Sequence, residues 1–566
     1  MAKAKLLKEP LNGVEKLFPW IGALTVVIAI PVSDDPVNIW KFLALITSAG
    51  ILTGLMLIPE YRKYLGIKEI RIVVTIFVLS MLIPLLLSGA PLLQQLYGVS
   101  GRLTGFFSLA SFSLIFLIAS SGLAIKSYKK MLLGVVFAGT YNLILSVFEN
   151  LGIEPLKFDN TYKVPLGSLG NPNFMSAFLA IFTVVSMVLA LDASLSKKLR
   201  SFIILQIPLA LFELTKVGSK QGFYVVAAGF AIVSYLLVRA KLSRILRLFS
   251  LVAFTGVGAF VAAGFLNMGP LASFVFKDTA KFRYEYWMAG LRMAKAHLVT
   301  GVGLNSYGDW FREYRSLNSI TSPGKDVSTN VSHSVFIDYL ATGGLLHFLA
   351  YLTISILVLV NVRKYLKSSK SFDPIFTALF AGWASYQLQA LISVDNLAIA
   401  IWAWIFGGSI IGYVKVTQTD SALEPQVKNV NNLSKVKGRI ASVDNSGKGI
   451  VFGFVGFLIM ALIAIPVVNA SIAWRSALLS RQVENIVKVG KQWPDDEIRL
   501  VKAVGLLINN QQNKIALDLA VGQISKYPRS VPLRYYIIQN PEASEELKAK
   551  MKSENQVLDP FNPDWK

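Results

Sequence analysis

The stretch Asn330–Asn361, NVSHSVFIDYLATGGLLHFLAYLTISILVLVN, joins a polar end closing on His333 to an apolar run that begins at Phe336. A helix needs about 20 apolar residues to cross roughly 30 Å of hydrocarbon, and only helices and closed barrels satisfy their own backbone there. Runs of this kind recur along the chain. We read thirteen, centred on residues 17–32, 39–58, 71–89, 103–125, 131–148, 174–191, 201–215, 221–238, 248–267, 336–361, 374–392, 396–414 and 449–469. With 54% apolar residues and a mean hydropathy of +0.54 over 566 residues, soluble-domain counting does not apply. The expected fold class is all-α: a polytopic integral membrane bundle of about 12–13 transmembrane helices, with a large external loop and a small C-terminal helical domain.

The loops between spans sort by charge. Lys3, Lys5, Lys8 and Lys16 precede the first span, and Arg62, Lys63, Lys68 and Arg71 follow the second. Further basic groups are Lys126, Lys129 and Lys130, then Lys197, Lys198 and Arg200, then Arg239, Lys241, Arg244 and Arg247, then Arg363, Lys364, Lys367 and Lys370. The alternate turns carry Asp34, Asp35 or Asp395 instead. Cytoplasmic loops hold the excess of Lys and Arg, so the N-terminus of a multi-pass protein is expected in the cytoplasm. The net charge of +23 is then a topology signal, strengthened by anionic lipid, and gives no reason to invoke nucleic acid.

This topology divides the chain into a membrane domain over residues 1–416 with an external loop over 266–333, a cytoplasmic linker over 417–448, a further span over 449–470, and an external tail over 471–566. The tail shows helical periodicity at Ile515, Leu517, Leu519, Ala520 and Ile524 before Pro528. Its segment Ala516–Ser530 resembles the second helix and turn of a tetratricopeptide repeat. No histidine lies in it, which points to binding or positioning there. The chain has no cysteine, hence neither disulfides nor thiol ligands. The first apolar segment lacks a small-x-small cleavage site and is read as a retained span.

External segments Glu149–Asn173, Lys216–Gln221 and Leu266–His333 are expected to converge on one surface. A site there has no access to cytoplasmic nucleotides, and the chain shows no glycine loop ending in Lys and Ser or Thr for phosphate. Four segments carry a resemblance. They are Gly170, Asn171, Pro172, Asn173 and Phe174; Ser219, Lys220, Gln221 and Gly222; Arg283, Trp287 and Ala294 with Gly301, Val302, Gly303, Asn305 and Tyr307; and His333 with Tyr339, Leu340, Gly343, Gly344 and Leu345. Over residues 15–415 the chain is similar to the bacterial O-antigen ligase and polymerase superfamily, which includes protein O-oligosaccharyltransferases.

The resemblance implies metal-independent, inverting transfer of a glycan from a polyprenyl-diphosphate carrier to an acceptor hydroxyl on a glycan, lipid or protein, with no cofactor. His333 is the expected catalytic base, since an imidazole of ordinary pKa near 6.5 can take a proton from a poor nucleophile near neutral pH. Lys220 and Arg283 are expected to hold the diphosphate, and Asn173 is a further substrate-binding candidate unless it caps its helix. Lys220 stands where relatives carry arginine, so a point charge replaces a bidentate fork. Ser334 stands where they carry asparagine. His297 and His347 are read as structural. Gly301 and Gly303 suit a tight turn or a close backbone approach, and Trp287, Tyr284, Tyr286, Tyr307 and Trp310 suit either sugar rings or the interfacial belt. The other function weighed is a transporter or flippase for polyprenyl-linked glycans, which would place charges within its spans and show repeats.

Overall fold

The computed structural model describes residues 13–157, 160–239, 241–276, 278–369, 371–427 and 447–565. It is all-helical, with no strand among the described residues. Each of the thirteen apolar runs coincides with a helix, and among the described residues ten helices are long and apolar enough to cross a membrane. Of the other three, Gly13–Val27 and Phe106–Ser120 have 15 residues each. Lys197–Val217 has the length, at 21 residues, but carries Lys197, Lys198, Arg200, Glu213 and Lys216. The helix Leu397–Gln418 lies at the centre, its most apolar window wholly buried, and Pro172–Ala190 is nearly as enclosed. By contrast Arg244–Phe265 turns almost all its side chains outward.

The last span, Gly447–Ser480, packs along Asn38–Met56 with their backbones in contact. A Cβ on Gly50 would strike the Gly456 carbonyl, and one on Gly54 the Phe452 carbonyl. Small residues four apart allow this approach where lipid supplies no hydrophobic drive. The helix Leu397–Val427 runs on past the expected start of the linker at residue 417, and residues 428–446 of that linker lie outside the described residues.

Two faces follow. On one, the Ala124 amide donates to Glu15, Lys129 pairs with Asp192 at 3.2 Å, and Arg239 donates to the Leu366 carbonyl. On the other, Asn38 bonds the Gly101 carbonyl, Asn396 bonds Asn38, and Thr104 bonds Asn305, drawing the turns near residues 38, 101 and 396 under the large loop. That loop is folded. Helices Asp278–Ala296 and Tyr307–Tyr314 close on Tyr286, Ala289, Met293, Val302, Tyr307 and Phe311, with Ala341 of the following helix completing the cluster.

The tail lies on the same face as the loop. Helices Val483–Gly490, Glu497–Asn509, Asn513–Gln523, Val531–Gln539 and Glu545–Leu558 bury their own core around Leu500, Val504, Leu519, Leu533 and Ile537. Asp34 and Asp35 bond Ser471 through their amides, and Lys502 reaches Asp34 at 3.4 Å. Arg529 pairs with Glu313 and lies 3.3 Å above the centre of the Trp310 ring.

Candidate functional site

The turn that presents His333 is strapped by a serine. Ser332 Oγ accepts from the Ser334 amide at 3.1 Å and donates to the Ser334 carbonyl at 2.9 Å, spanning the histidine between them. The Ser332 amide in turn donates to Asp338 Oδ1 at 2.7 Å, one turn into the helix Val335–Ser368. His333 sits at φ 60° within this strap, a left-handed conformation that is costly for a residue with a Cβ. Its ring lies 5.4 Å from that of Tyr286, tilted by 26°, and its carbonyl accepts from Trp287 Nε1 at 3.4 Å. The hydroxyl that organises the turn therefore belongs to Ser332 rather than Ser334.

The helix behind the turn is broken at Gly344, whose φ is 78° and ψ 177°. There the chain segment 299–303 crosses it. The Val302 amide donates to the Ala341 carbonyl at 2.9 Å, Gly303 to Thr342 at 3.1 Å, and Leu345 to Leu298 at 2.8 Å. A Cβ on Gly301 would strike the Thr342 carbonyl, and one on Gly344 the Val299 carbonyl. Gly301 and Gly344, one from each pair, thus serve a single backbone crossing, which fixes the large loop to the helix that follows the histidine.

Two arginines act on the His333 ring. Arg283 comes from the helix Asp278–Ala296, and Arg102 from the turn between Leu92–Tyr97 and Phe106–Ser120. Burial, then the positive fields of Arg283 and Arg102, lower the imidazole pKa to about 3. Burial also lowers the pKa of both guanidinium groups. Among the described residues neither makes a hydrogen bond or an ion pair within 4 Å to a carboxylate, although Asp338 and Asp395 lie close enough to Arg102 to favour its charge. Two partly buried cations without a bonded counter-ion suit an anion, because such charges gain from charge-assisted bonds.

Beside this cluster a cleft of about 510 Å³ is lined by Thr104, Asn305, Tyr307, Asn330, Asp338 and Asp395, among others. Asp395 Oδ1 accepts from the Tyr386 hydroxyl at 2.9 Å and from the Asn396 amide at 3.1 Å. Burial raises its pKa to about 7.

Lys220 and Asn173 are brought together by one turn. Ser219 Oγ donates to Asn173 Oδ1 at 2.9 Å and Gln221 Nε2 to the Asn173 carbonyl at 3.2 Å, which places exposed Lys220 between them in the turn before Gln221–Val238. The cap of Pro172–Ala190 is Asn171, whose side chain accepts from the Asn173 amide at 2.9 Å. Asn173, the residue expected to cap, instead fastens the Lys220 turn. No hydrogen bond, ion pair or ring contact joins Lys220 to His333 or Arg283 among the described residues.

Both other histidines are held structurally. His347 is fully buried, with Nδ1 2.9 Å from Ser80 Oγ and its ring stacked 4.5 Å from Phe77. His297 Nε2 lies 3.2 Å from the Tyr314 hydroxyl. Of the aromatics, Tyr286 and Tyr307 belong to the loop core, with Tyr307 also on the wall of the Asp338–Asp395 cleft, and Trp310 lies beneath Arg529. No group of three or more His, Cys, Asp or Glu residues able to hold a metal ion occurs among the described residues.

Residues 207–352 match the family model described as O-antigen ligase. That segment contains Lys220, Arg283 and His333, while Asn173 and Arg102 lie outside it. No curated protein sequence matches the chain. In this polytopic membrane protein, residues 207–352 are similar to the O-antigen ligase family.

Proposed function

We propose that this protein transfers a glycan from a polyprenyl-diphosphate carrier to an acceptor hydroxyl, with inversion and without a metal, on the outer side of the bacterial cytoplasmic membrane. One observation carries the reading: Arg102 and Arg283, neither bonded to a carboxylate, act together on the His333 ring. A diphosphate is the leaving group that such a pair suits. As the acceptor oxygen attacks the anomeric carbon, the bond to the diphosphate oxygen breaks, and the diphosphate departs with the electron pair beside the two guanidinium groups. The hydroxyl proton passes to a ring nitrogen of His333.

The free enzyme holds that ring far below its ordinary pKa, a poor setting for a base near neutral pH. The donor supplies the correction. Its negative charges oppose the arginine fields that, after burial, depress the imidazole, and so raise the ring toward the range where it accepts a proton. Lys220 and Asn173, which bond neither arginine, are assigned to the carrier's approach, where an exposed ammonium attracts an anionic headgroup as a point charge. The alternation of basic and non-basic turns supports the outward orientation of the site.

The test uses the full-length protein in lipid nanodiscs with a polyprenyl-diphosphate glycan and separate lipid, glycan and peptide acceptors, with products identified by mass. Transfer by the wild type that His333→Ala abolishes, with donor binding retained, is the expected result. Undiminished transfer by that variant would remove the histidine from the mechanism.

A further inference from the structure

A cleft of about 960 Å³, measured to its open mouth, separates the tail from the membrane bundle. Three parts of the chain line it: Tyr97, Ser100 and Asp34 from the bundle, Gly308, Asp309 and Asn330 from the large loop, and Trp474, Ile498 and Lys502 from the last span and tail. Asn330 also lines the smaller cleft that contains Asp338 and Asp395. The two spaces therefore meet at one side chain, three residues before His333. The amide of Asn330 makes no hydrogen bond among the described residues, leaving both its donor and acceptor groups available at the junction.

Resting on the transfer reading above, we propose that this cleft is the acceptor subsite, and that it takes the hydroxyl-bearing end of an uncharged or amino-sugar glycan, with the tail as its outer wall. The lining is acidic, with Asp34, Asp309, Asp495, Asp496 and Glu497 against Arg499 and Lys502. Both cations are already engaged: Arg499 donates to the carbonyls of Val489, Gln492 and Pro494, and Lys502 pairs with Asp34. Asp495 is likewise matched, by Lys526 at 2.9 Å, so among the described residues the space offers an anionic acceptor no free cation, whereas sugar hydroxyls are bonded well by carboxyl and amide groups.

Two of the carboxyls are suited to hydroxyls in a further way. Burial raises the pKa of both Asp309 and Glu497, and for Glu497 the neighbouring Asp309 adds to it. Glu497, raised to about 8, keeps a proton near neutral pH to donate to a sugar oxygen, while Asp309, raised only to about 6, accepts. Gln94 Nε2 orients the Asp309 carboxyl at 2.9 Å. The wall that closes the space comes from the tail, which lies beyond the segment matching the ligase family.

The experiment fills the cleft from the tail side. Ile498→Trp in the full-length protein is expected to raise the acceptor concentration for half-maximal transfer about tenfold or more, with donor affinity and melting temperature close to wild type. Ile498→Ala, which leaves the space open, serves as the control. Equal acceptor dependence for both variants and wild type would overturn the proposal. Independently of transfer, a photoreactive residue at position 498 is challenged with uncharged oligosaccharides of increasing length, and with a lysine-rich peptide. Crosslinking to the oligosaccharides supports the subsite even where no transfer occurs, in which case the transfer reading alone fails. Crosslinking only to the peptide, or to neither probe, overturns the glycan assignment.

Discussion

The guanidinium of Arg315 grips the carboxylate of Asp559 with both ends: Nη2 lies 2.7 and 2.8 Å from the two oxygens and Nε 3.0 Å from one of them, and neither side chain has any exposed surface. Arg312 reaches the same carboxylate at 3.2 Å. The last turns of the tail are thus bolted to the start of the segment that runs from Arg315 to His333. Removing one member of a buried pair strands the other, at about 3–5 kcal/mol. Asp559→Ala is therefore expected to loosen the tail from the loop, read as faster hydrogen exchange across residues 316–330. Unchanged exchange there would show that the pair does not hold the two together.

Arg102 and Arg283 should contribute separately to donor affinity. Bonds between a charged donor and phosphate are worth about 1.5–3 kcal/mol each, so either alanine variant should weaken diphosphate-carrier binding by about tenfold to a hundredfold. The loss should be smaller for a monophosphate carrier, which offers fewer oxygens to share. Lysine at either position should restore only part of the affinity, because it cannot bond in a fork. Equal losses for the two carriers would argue against diphosphate recognition by this pair.

The same arginines set a pH signature. The folded ring has its pKa lowered to about 3, so as pH falls from 7 toward 4 the free enzyme keeps His333 in its neutral, proton-accepting form. Donor binding opposes the cationic fields and raises that pKa, so the complex loses its base at a higher pH than the free enzyme does. The acid limb of kcat should therefore lie above that of kcat/KM. Arg283→Gln removes one depressing field and should move the kcat/KM limb upward, toward the ordinary imidazole range. Coincident limbs in the wild type would rule out priming of His333 by donor charge.

What the sequence disclosed follows from which constraints are local. The bilayer imposes length and apolarity on every span, so each apolar run coincides with a helix, whereas the glycines at 301 and 303 read equally as a tight turn, a close backbone approach or plain loop punctuation. Arg102 was not visible as a site residue. It sits alone in the turn between Gly101 and Gly105, and its relation to His333 exists only after the turns near residues 38, 101 and 396 have gathered under the loop. Asn171 and Asn173 show the same limit at short range, since either residue type can cap a helix and only the backbone conformation at Asn171 decides it. The Arg315–Asp559 pair joins residues 244 positions apart, a spacing for which no local pattern exists. One faint signal was available for Arg102: an arginine bracketed by glycines, in a short turn on the otherwise weakly basic face.

The backbone crossing behind the histidine makes a contrast between two glycines. Gly218 ends the helix Lys197–Val217 at φ 75° with open space where a Cβ would stand, whereas Gly301 has φ 62° and would drive a Cβ into the Thr342 and Gly344 backbone. For Gly218→Ala the cost is the left-handed strain alone, about 1–2 kcal/mol. Gly301→Ala adds a steric conflict with main-chain atoms, which cannot swing aside as a side chain can, and must push segment 299–303 off the helix that follows His333. Its melting temperature should fall well below that of Gly218→Ala. Transfer should fall further than stability, because the bonds from Val302 to Ala341 and from Gly303 to Thr342 set where Asn305, Tyr307 and the His333 turn meet. Equal losses of stability and transfer for the two variants would mean that the crossing does not position the site.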